Sequence, residues 1–162
     1  MNPIDKIVVA RNKARELSDP NVDVCFLATV TANGGATVRA ISLRDVTLQG
    51  FGILINDASL KWKQIEAQSP VELLMYWATV SSQYRIQGSF VPMEEHKRRY
   101  YWGRKSYGSK LLELYYSAYE KQSGAVPSRQ YMLERIEILK TKYPDQEKIP
   151  VPKELKGVYF AM

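Results

Sequence analysis

Arginines bracket the segment Arg39, Ala40, Ile41, Ser42, Leu43, Arg44, and shortly after it the chain reads Gly50-Phe51 and then Asn56-Asp57-Ala58-Ser59-Leu60-Lys61. The first segment alternates like a strand with cations near its two ends; the last opens a helix with small polar residues and sets a lysine in its first turn. Cations, hydroxyls and free helix N–H groups gathered in one place suit a phosphate monoester, because guanidinium forks and helix N-termini both present converging donors. Solvated strand ends followed by an ordinary helix cap have the same composition, so the surrounding sequence has to decide.

The elements that would position these residues can be read from periodicity. Ile4, Ile7, Val8, Ala14 and Leu17 at helical spacing predict an amphipathic helix over 3–17, closed by Ser18-Asp19-Pro20. Strands are predicted at 24–30, 36–44 and 51–56, the first two joined at Asn33-Gly34, where both residues tolerate positive φ. A helix over 58–68, with Ile65 and Ala67 inward, and strands at 71–77 and 83–91 follow. This is a meander of at least five strands, of a size that closes into a barrel or sandwich to hide its edges. Helices are then predicted at 94–103, 109–122 and 128–143, and a last strand at 157–162. The expected class is mainly β with flanking helices (α+β), in one domain over 1–162.

Composition narrows the chemistry. With 162 residues, 45% hydrophobic and 25% charged, the chain has enough apolar material for one packed domain and is not disordered. No apolar run is long enough to cross a bilayer, and Met1–Lys6 lacks the apolar core and cleavage site of a secretory signal, which predicts a cytoplasmic protein. Cys25, the single cysteine, leaves no disulfide and no thiolate cluster; in its apolar run it is expected to be a buried structural thiol. His96, the single histidine, leaves no histidine-based metal site, and no metal is expected. The formal charge of +6 admits nucleic acid, an acidic membrane surface or a phosphorylated small molecule.

The run from Lys97 to Lys110 interleaves basic and aromatic residues, as a surface that tracks a phosphate backbone and stacks bases would. A helix whose aromatics pack on the sheet while its cations face water explains the run more simply. Tyr100 and Arg104, four apart, also share a helical face and can serve one phosphorylated ligand. Gly34-Gly35 fits no dinucleotide or phosphate-loop fingerprint.

Taken together and in order from Val24 onward, these segments resemble the pyridoxamine 5′-phosphate oxidase family of FMN-binding split β-barrels. Residues 39–44 resemble its R-x-V-x-L-K strand, 50–56 its G-F-x-F-x-T-N strand and 59–61 its S-R-K helix start. Leu73–Trp77 and Gln83–Gly88 resemble its L-L-F-x-W and R-Q-V-R-x-x-G strands, and Tyr100 and Arg104 fall on its Y-F-x-x-R-P. Lys121-Gln122-Ser123 resembles K-Q-S, and 150–157 resembles P-x-P-x-x-W-x-G with Leu155 in place of the tryptophan.

The resemblance implies FMN held by Arg39, Ala40, Ile41, Ser42, Leu43, Arg44, Leu54, Ile55, Ser59, Lys61, Gln122 and Ser123, with Gln83 reaching the flavin across a homodimer interface. It implies a substrate phosphate gripped by Arg44, Tyr100, Arg104 and Ser109, the last one residue out of family spacing. The implied reaction is oxidation of pyridoxamine or pyridoxine 5′-phosphate to pyridoxal 5′-phosphate, with no strong general base required. Leu60 stands where the family has an arginine and Arg44 where it has a lysine. The family also carries an N-terminal substrate-covering segment, and beyond the position of Met162 a flavin-contacting tryptophan and an R-L-H-x-R segment. Their absence from this short form leaves FMN binding better supported than full oxidase activity; the expected function is an FMN-dependent oxidase of this kind, with an FMN-binding protein of the same fold that has another substrate or no oxidase activity as the alternative and a nucleic-acid-binding barrel as the second.

Overall fold

The computed structural model describes residues 2–67, 70–122 and 124–162. Helix α1, Pro3–Glu16, is capped by Asn2, whose side chain accepts from the N–H of Ile4 at 2.9 Å, and Pro3 sits in the first turn where no N–H is needed. Strands β1, Val24–Val30, and β2, Ala36–Ser42, pair from Val24↔Ser42 to Val30↔Ala36. Their loop differs from a two-residue turn: Thr31 N–H donates to the Gly35 carbonyl at 2.8 Å, and only Gly34, at φ 83°, takes the left-handed region.

A short strand β3, Asp45–Thr47, occupies part of the predicted turn and pairs with β4, Gly50–Asn56. Helix α2, Leu60–Glu66, is shorter than predicted, since Ser59 already serves as its cap; Ile65 packs on the core, but Ala67 is exposed rather than inward. Strand β5 spans Glu72–Trp77. The predicted strand 83–91 is two strands, β6, Ser82–Gln87, and β7, Ser89–Pro92. They part at Gly88, where a Cβ would collide with the Ala161 carbonyl oxygen. Helices α3, Glu95–Gly103, α4, Tyr107–Ala118, and α5, Arg129–Lys142, precede the last strand β8, Leu155–Ala161.

The strands form two antiparallel four-stranded sheets, ordered β2-β1-β5-β6 and β3-β4-β8-β7. The single meander expected from strand order does not form. β4 pairs with β3 and β8 instead of β2, and the chain changes sheet three times: after β2, between β4 and β5, and at Gly88. Cys25, Leu27, Leu73, Met75 and Trp77 of the first sheet pack against Phe51, Ile53, Ile55 and Phe160 of the second. A second cluster, including Trp102, Leu111, Tyr115, Leu139 and Leu155, ties the helices to β8. The result is the expected α+β architecture, with five α-helices among the described residues. Among those residues no helix is long and apolar enough to cross a membrane.

Two details of this frame lead to measurable consequences. Cys25 is fully buried and burial pushes its thiol up to about 12, so it should resist alkylation at pH 8 in the native protein and react only after unfolding. Arg11 joins α1 to both strand ends: Nε donates to Val22 O and Nη2 to Leu43 O, each at 3.0 Å, and Nη2 also meets Asp23 Oδ1 at 2.6 Å. Burial lowers its pKa, and Asp23 opposes that shift. Arg11→Met strands the Val22 and Leu43 carbonyls and takes from Asp23 one of its two arginines, and should lower urea-unfolding stability by about 2–4 kcal/mol.

Candidate functional site

A cavity of about 230 Å³ lies along β2. Arg39, Ala40, Ile41 and Ser42 line it from the strand, and Arg44 from the strand's exit. Leu54 and Asn56 reach it from β4, Lys61 from α2, Glu113 from α4, Lys105 from the turn before α4 and Gln122 from the turn after it. Alternation on β2 explains part of this: Arg39 and Ile41 are on its half-buried side, with Ala40 and Ser42 on the other. Lys61 Nζ donates to Gln122 Oε1 at 2.8 Å, which brings together residues 61 positions apart in the chain.

Four cations and one carboxylate line this cavity. Burial lowers the pKa values of Arg39, Arg44, Lys61 and Lys105, in each case as the leading cause. Glu113 opposes the shift at Arg44, Lys61 and Lys105, and its Oε1 accepts from Lys105 Nζ at 2.8 Å. One carboxylate cannot neutralise four partly buried cations, so the cavity carries a charge that an anionic ligand would relieve. Arg39 is nonetheless well anchored. Its Nη1 donates to Leu27 O at 3.0 Å and Thr29 Oγ1 at 2.6 Å, and its Nη2 to Thr37 Oγ1 at 2.6 Å.

Three buried polar atoms of the lining residues have no partner: Arg44 Nε, Asn56 Nδ2 and Glu113 Oε2. Buried donors and acceptors are normally paired, and leaving one unpaired costs about 1–3 kcal/mol. Two donors and an acceptor left open at one cavity match a ligand that offers both kinds of group.

The remaining expected residues are placed differently. Leu43, Ile55 and Ser59 are buried beneath the surface, and the Ser59 hydroxyl donates to Asn56 O at 2.6 Å. Gln83 is exposed on β6, opposite Tyr76, away from the cavity of its own chain. Ser123 lies outside the described residues.

A second cavity, of about 290 Å³, shares Ser42 and Arg44 with the first and is lined further by Arg15, Asp23, Leu43, Tyr101 and Arg104. Arg44 and Arg104 therefore meet as expected. Tyr100 does not line this cavity: it is 57% exposed, and its ring stands 5.6 Å from the Arg104 guanidinium. Tyr101 is the lining tyrosine, its hydroxyl donating to Asp45 Oδ2 at 2.6 Å. Ser109 is also outside, its hydroxyl bonded at 2.9 Å to Ser106, the cap of α4.

Sequence reasoning missed Lys105, Glu113 and Asn56 as lining residues. The Lys105–Glu113 pair spans eight positions across a turn and a helix start, a spacing that no local periodicity marks. Nor does the basic aromatic run simply face water: Lys105 is held by Glu113, and Lys110 is buried with Nζ donating to Gln146 O at 3.1 Å.

Comparison with known proteins finds relatives in sequence and in fold. The sequence model of the pyridoxamine 5′-phosphate oxidase family matches residues 12–142. Pyridoxine/pyridoxamine 5′-phosphate oxidase of Novosphingobium aromaticivorans is 32% identical over 148 residues, covering 91% of this chain and 70% of that protein. The protein of the same name from Psychrobacter cryohalolentis is 32% identical over 158 residues, covering 98% and 71%. Among solved structures, PhzG from Burkholderia lata 383, in complex with tetrahydrophenazine-1-carboxylic acid, has a TM-score of 0.83 at 19% identity, covering 99% of this chain and 76% of that one. A pyridoxamine 5′-phosphate oxidase-related, FMN binding protein from Nostoc punctiforme has a TM-score of 0.70 at 20% identity, covering 99% and 81%. These two structures share the split-barrel fold with this chain.

Proposed function

The chain belongs to the pyridoxamine 5′-phosphate oxidase family, and on that premise we propose that it binds FMN in the cavity along β2 and oxidises pyridoxamine or pyridoxine 5′-phosphate to pyridoxal 5′-phosphate. The observation that carries the reading is the set of four burial-depressed cations around unpartnered Arg44 Nε, Asn56 Nδ2 and Glu113 Oε2. FMN fits that set, since it brings a phosphate for the cations and both donors and acceptors for the unpaired atoms.

In this reading Lys61 and Arg39 hold the cofactor phosphate, with Gln122 orienting Lys61. Leu54 covers an apolar side, while Asn56 and Glu113 take the cofactor's polar groups. The chemistry FMN supplies when bound is acceptance of a hydride from the substrate and its disposal on dioxygen. Arg44 and Arg104 anchor the substrate phosphate in the adjoining cavity, and the shared Ser42 and Arg44 keep the two ligands side by side. Positioning is then the main contribution of this chain.

A homodimer is part of the proposal. Its support is the outward face of the first sheet, where Val38 and Tyr76 are 66% and 46% exposed and Gln83 pairs with Tyr76. A second copy laid on that face would cover its apolar residues and carry Gln83 toward a partner's cofactor.

A second reading keeps the cofactor and changes the substrate, or dispenses with one. It draws on Tyr100 and Ser109, two of the four expected phosphate contacts, standing outside the cavity. Visible absorption after FMN is added and the excess removed tests the shared part. A retained flavin band supports binding, and its absence overturns both readings. Anaerobic addition of pyridoxine 5′-phosphate then separates them: bleaching of the band supports the oxidase, and an unchanged band favours the second.

A further inference from the structure

Arg15 lines the cavity of Arg44 and Arg104, although none of the family's motifs includes it. It sits in the last turn of α1, where its Nη2 donates to Asp23 Oδ1 at 2.8 Å. The same oxygen receives Arg11 Nη2 at 2.6 Å, and Arg11 is itself held by Val22 O and Leu43 O. A buried arginine anchored on two backbone carbonyls thus fixes Asp23, and Asp23 fixes a half-exposed one at the cavity. Part of the rotamer entropy that a free surface arginine would lose on gripping a ligand is already lost.

The charge count favours a strongly anionic ligand. Arg15, Arg44 and Arg104 line the cavity against one carboxylate, Asp23, which Arg11 also draws on. Glu113 and Asp45 are the other acids nearby; the first is paired with Lys105, and Oδ2 of the second receives both Tyr101 and Tyr159 hydroxyls. The neutral donors expected to complete a phosphate grip are absent from the cavity, since Tyr100 and Ser109 lie outside it and the Tyr101 hydroxyl is spent on Asp45. A third guanidinium is what the fold puts there instead.

We propose that Arg15 is a specificity-determining residue of this cavity, forming with Arg44 and Arg104 a three-arginine clamp that selects a phosphate monoester over a carboxylate. A phosphate monoester carries a charge near −2 and three terminal oxygens, enough for three forks. A carboxylate has one charge and two coplanar oxygens, and leaves one of the arginines without a partner. The inference rests on the reading of this cavity as the substrate side of the cofactor site, and it names the group that this side accepts.

Calorimetric titration with phenyl phosphate and with benzoate tests it, on the native chain and on Arg15→Gln, Arg15→Lys and Arg85→Gln. Arg85 is an exposed cation of β6 paired with Glu72, and serves as the control. Arg15→Gln should weaken phenyl phosphate about tenfold and change benzoate by less than about twofold, with Arg15→Lys between and Arg85→Gln unchanged. Equal binding of phenyl phosphate by native protein and Arg15→Gln overturns the proposal, as does parallel loss of both ligands or no phosphate binding at all. Arg15→Lys keeps a cation for Asp23, so a general loss of folding in Arg15→Gln would not hide the answer. Flavin retention on the same samples reports separately on the neighbouring cavity. Arg15-dependent phosphate binding without flavin supports the clamp and overturns the cofactor reading alone.

Discussion

Lys61→Glu should abolish FMN retention, a loss of at least about 100-fold in affinity. Lys61 is held by Gln122 in a cavity whose cations are short of countercharge, and burial lowers its pKa. The substitution removes a charge-assisted bond to the cofactor phosphate and sets a carboxylate against that phosphate, so the two losses add. Retained absorbance after desalting reads the result directly, and Lys61→Gln should fall between native and Lys61→Glu. Undiminished retention by Lys61→Glu would remove Lys61 from the cofactor site.

The depressed Lys61 pKa also sets the sign of the pH response. An unfolded chain holds the Lys61 proton up to the ordinary lysine value of about 10.5, whereas the folded protein without flavin releases it earlier. Between those two points the unfolded state binds more protons, so the empty protein gains stability from this group as pH rises. Flavin retention runs the other way, because the neutral amine no longer attracts phosphate. Retention should therefore weaken below the pH at which an ordinary lysine would lose its proton, while the empty protein's unfolding midpoint does not fall on that account. A flavin titration and a thermal melt over the same alkaline range check both slopes.

Gly50→Ala should destabilise the fold by about 3–5 kcal/mol, a larger effect than most point substitutions. Gly50 opens β4 at φ 127°, a conformation that L-residues rarely adopt, and a Cβ there would collide with the Phe160 carbonyl oxygen and come within 2.8 Å of its carbon. Both atoms belong to the backbone of β8, which is paired on its two sides by β4 and β7 and cannot move aside without losing a ladder. Gly34→Ala separates strain from collision. Gly34 also has positive φ, at 83°, but nothing lies within 4 Å of its added Cβ, so the cost should be only about 1–2 kcal/mol. Similar urea midpoints for the two variants would show that β8 yields at Gly50.

The expected cofactor residues Arg39, Ala40, Ile41, Ser42, Arg44, Leu54, Lys61 and Gln122 do line one cavity, although they come from separate segments. Arg39, Arg44 and Lys61 were legible from local signatures, alternation in β2 and a serine cap ahead of α2, whereas Ala40, Ile41, Ser42, Leu54 and Gln122 were named only through the resemblance to the family. The four-residue spacing does set the Tyr100 ring beside Arg104, at 5.6 Å, but it could not show which tyrosine lines the cavity, because α3 is oriented by neighbours remote in sequence. Trp102 is buried with Nε1 donating to Ile149 O at 3.1 Å, and Tyr101 is held by Asp45, which leaves Tyr100 facing solvent.

By itself the sequence determined the element types, the apolar faces, the excess of basic residues and the segments able to meet a phosphate, since these follow from periods of two and 3.6 residues and from turn chemistry. Tertiary structure alone decided that β4 joins β8 rather than β2, that Gly88 sends one predicted strand into two sheets, and that Lys105 meets Glu113 while Arg15 meets Asp23. The physical reason is range. Periodicity constrains neighbours a few residues apart, whereas strand partners and buried ion pairs depend on which distant faces exclude water together, and no local pattern encodes that choice.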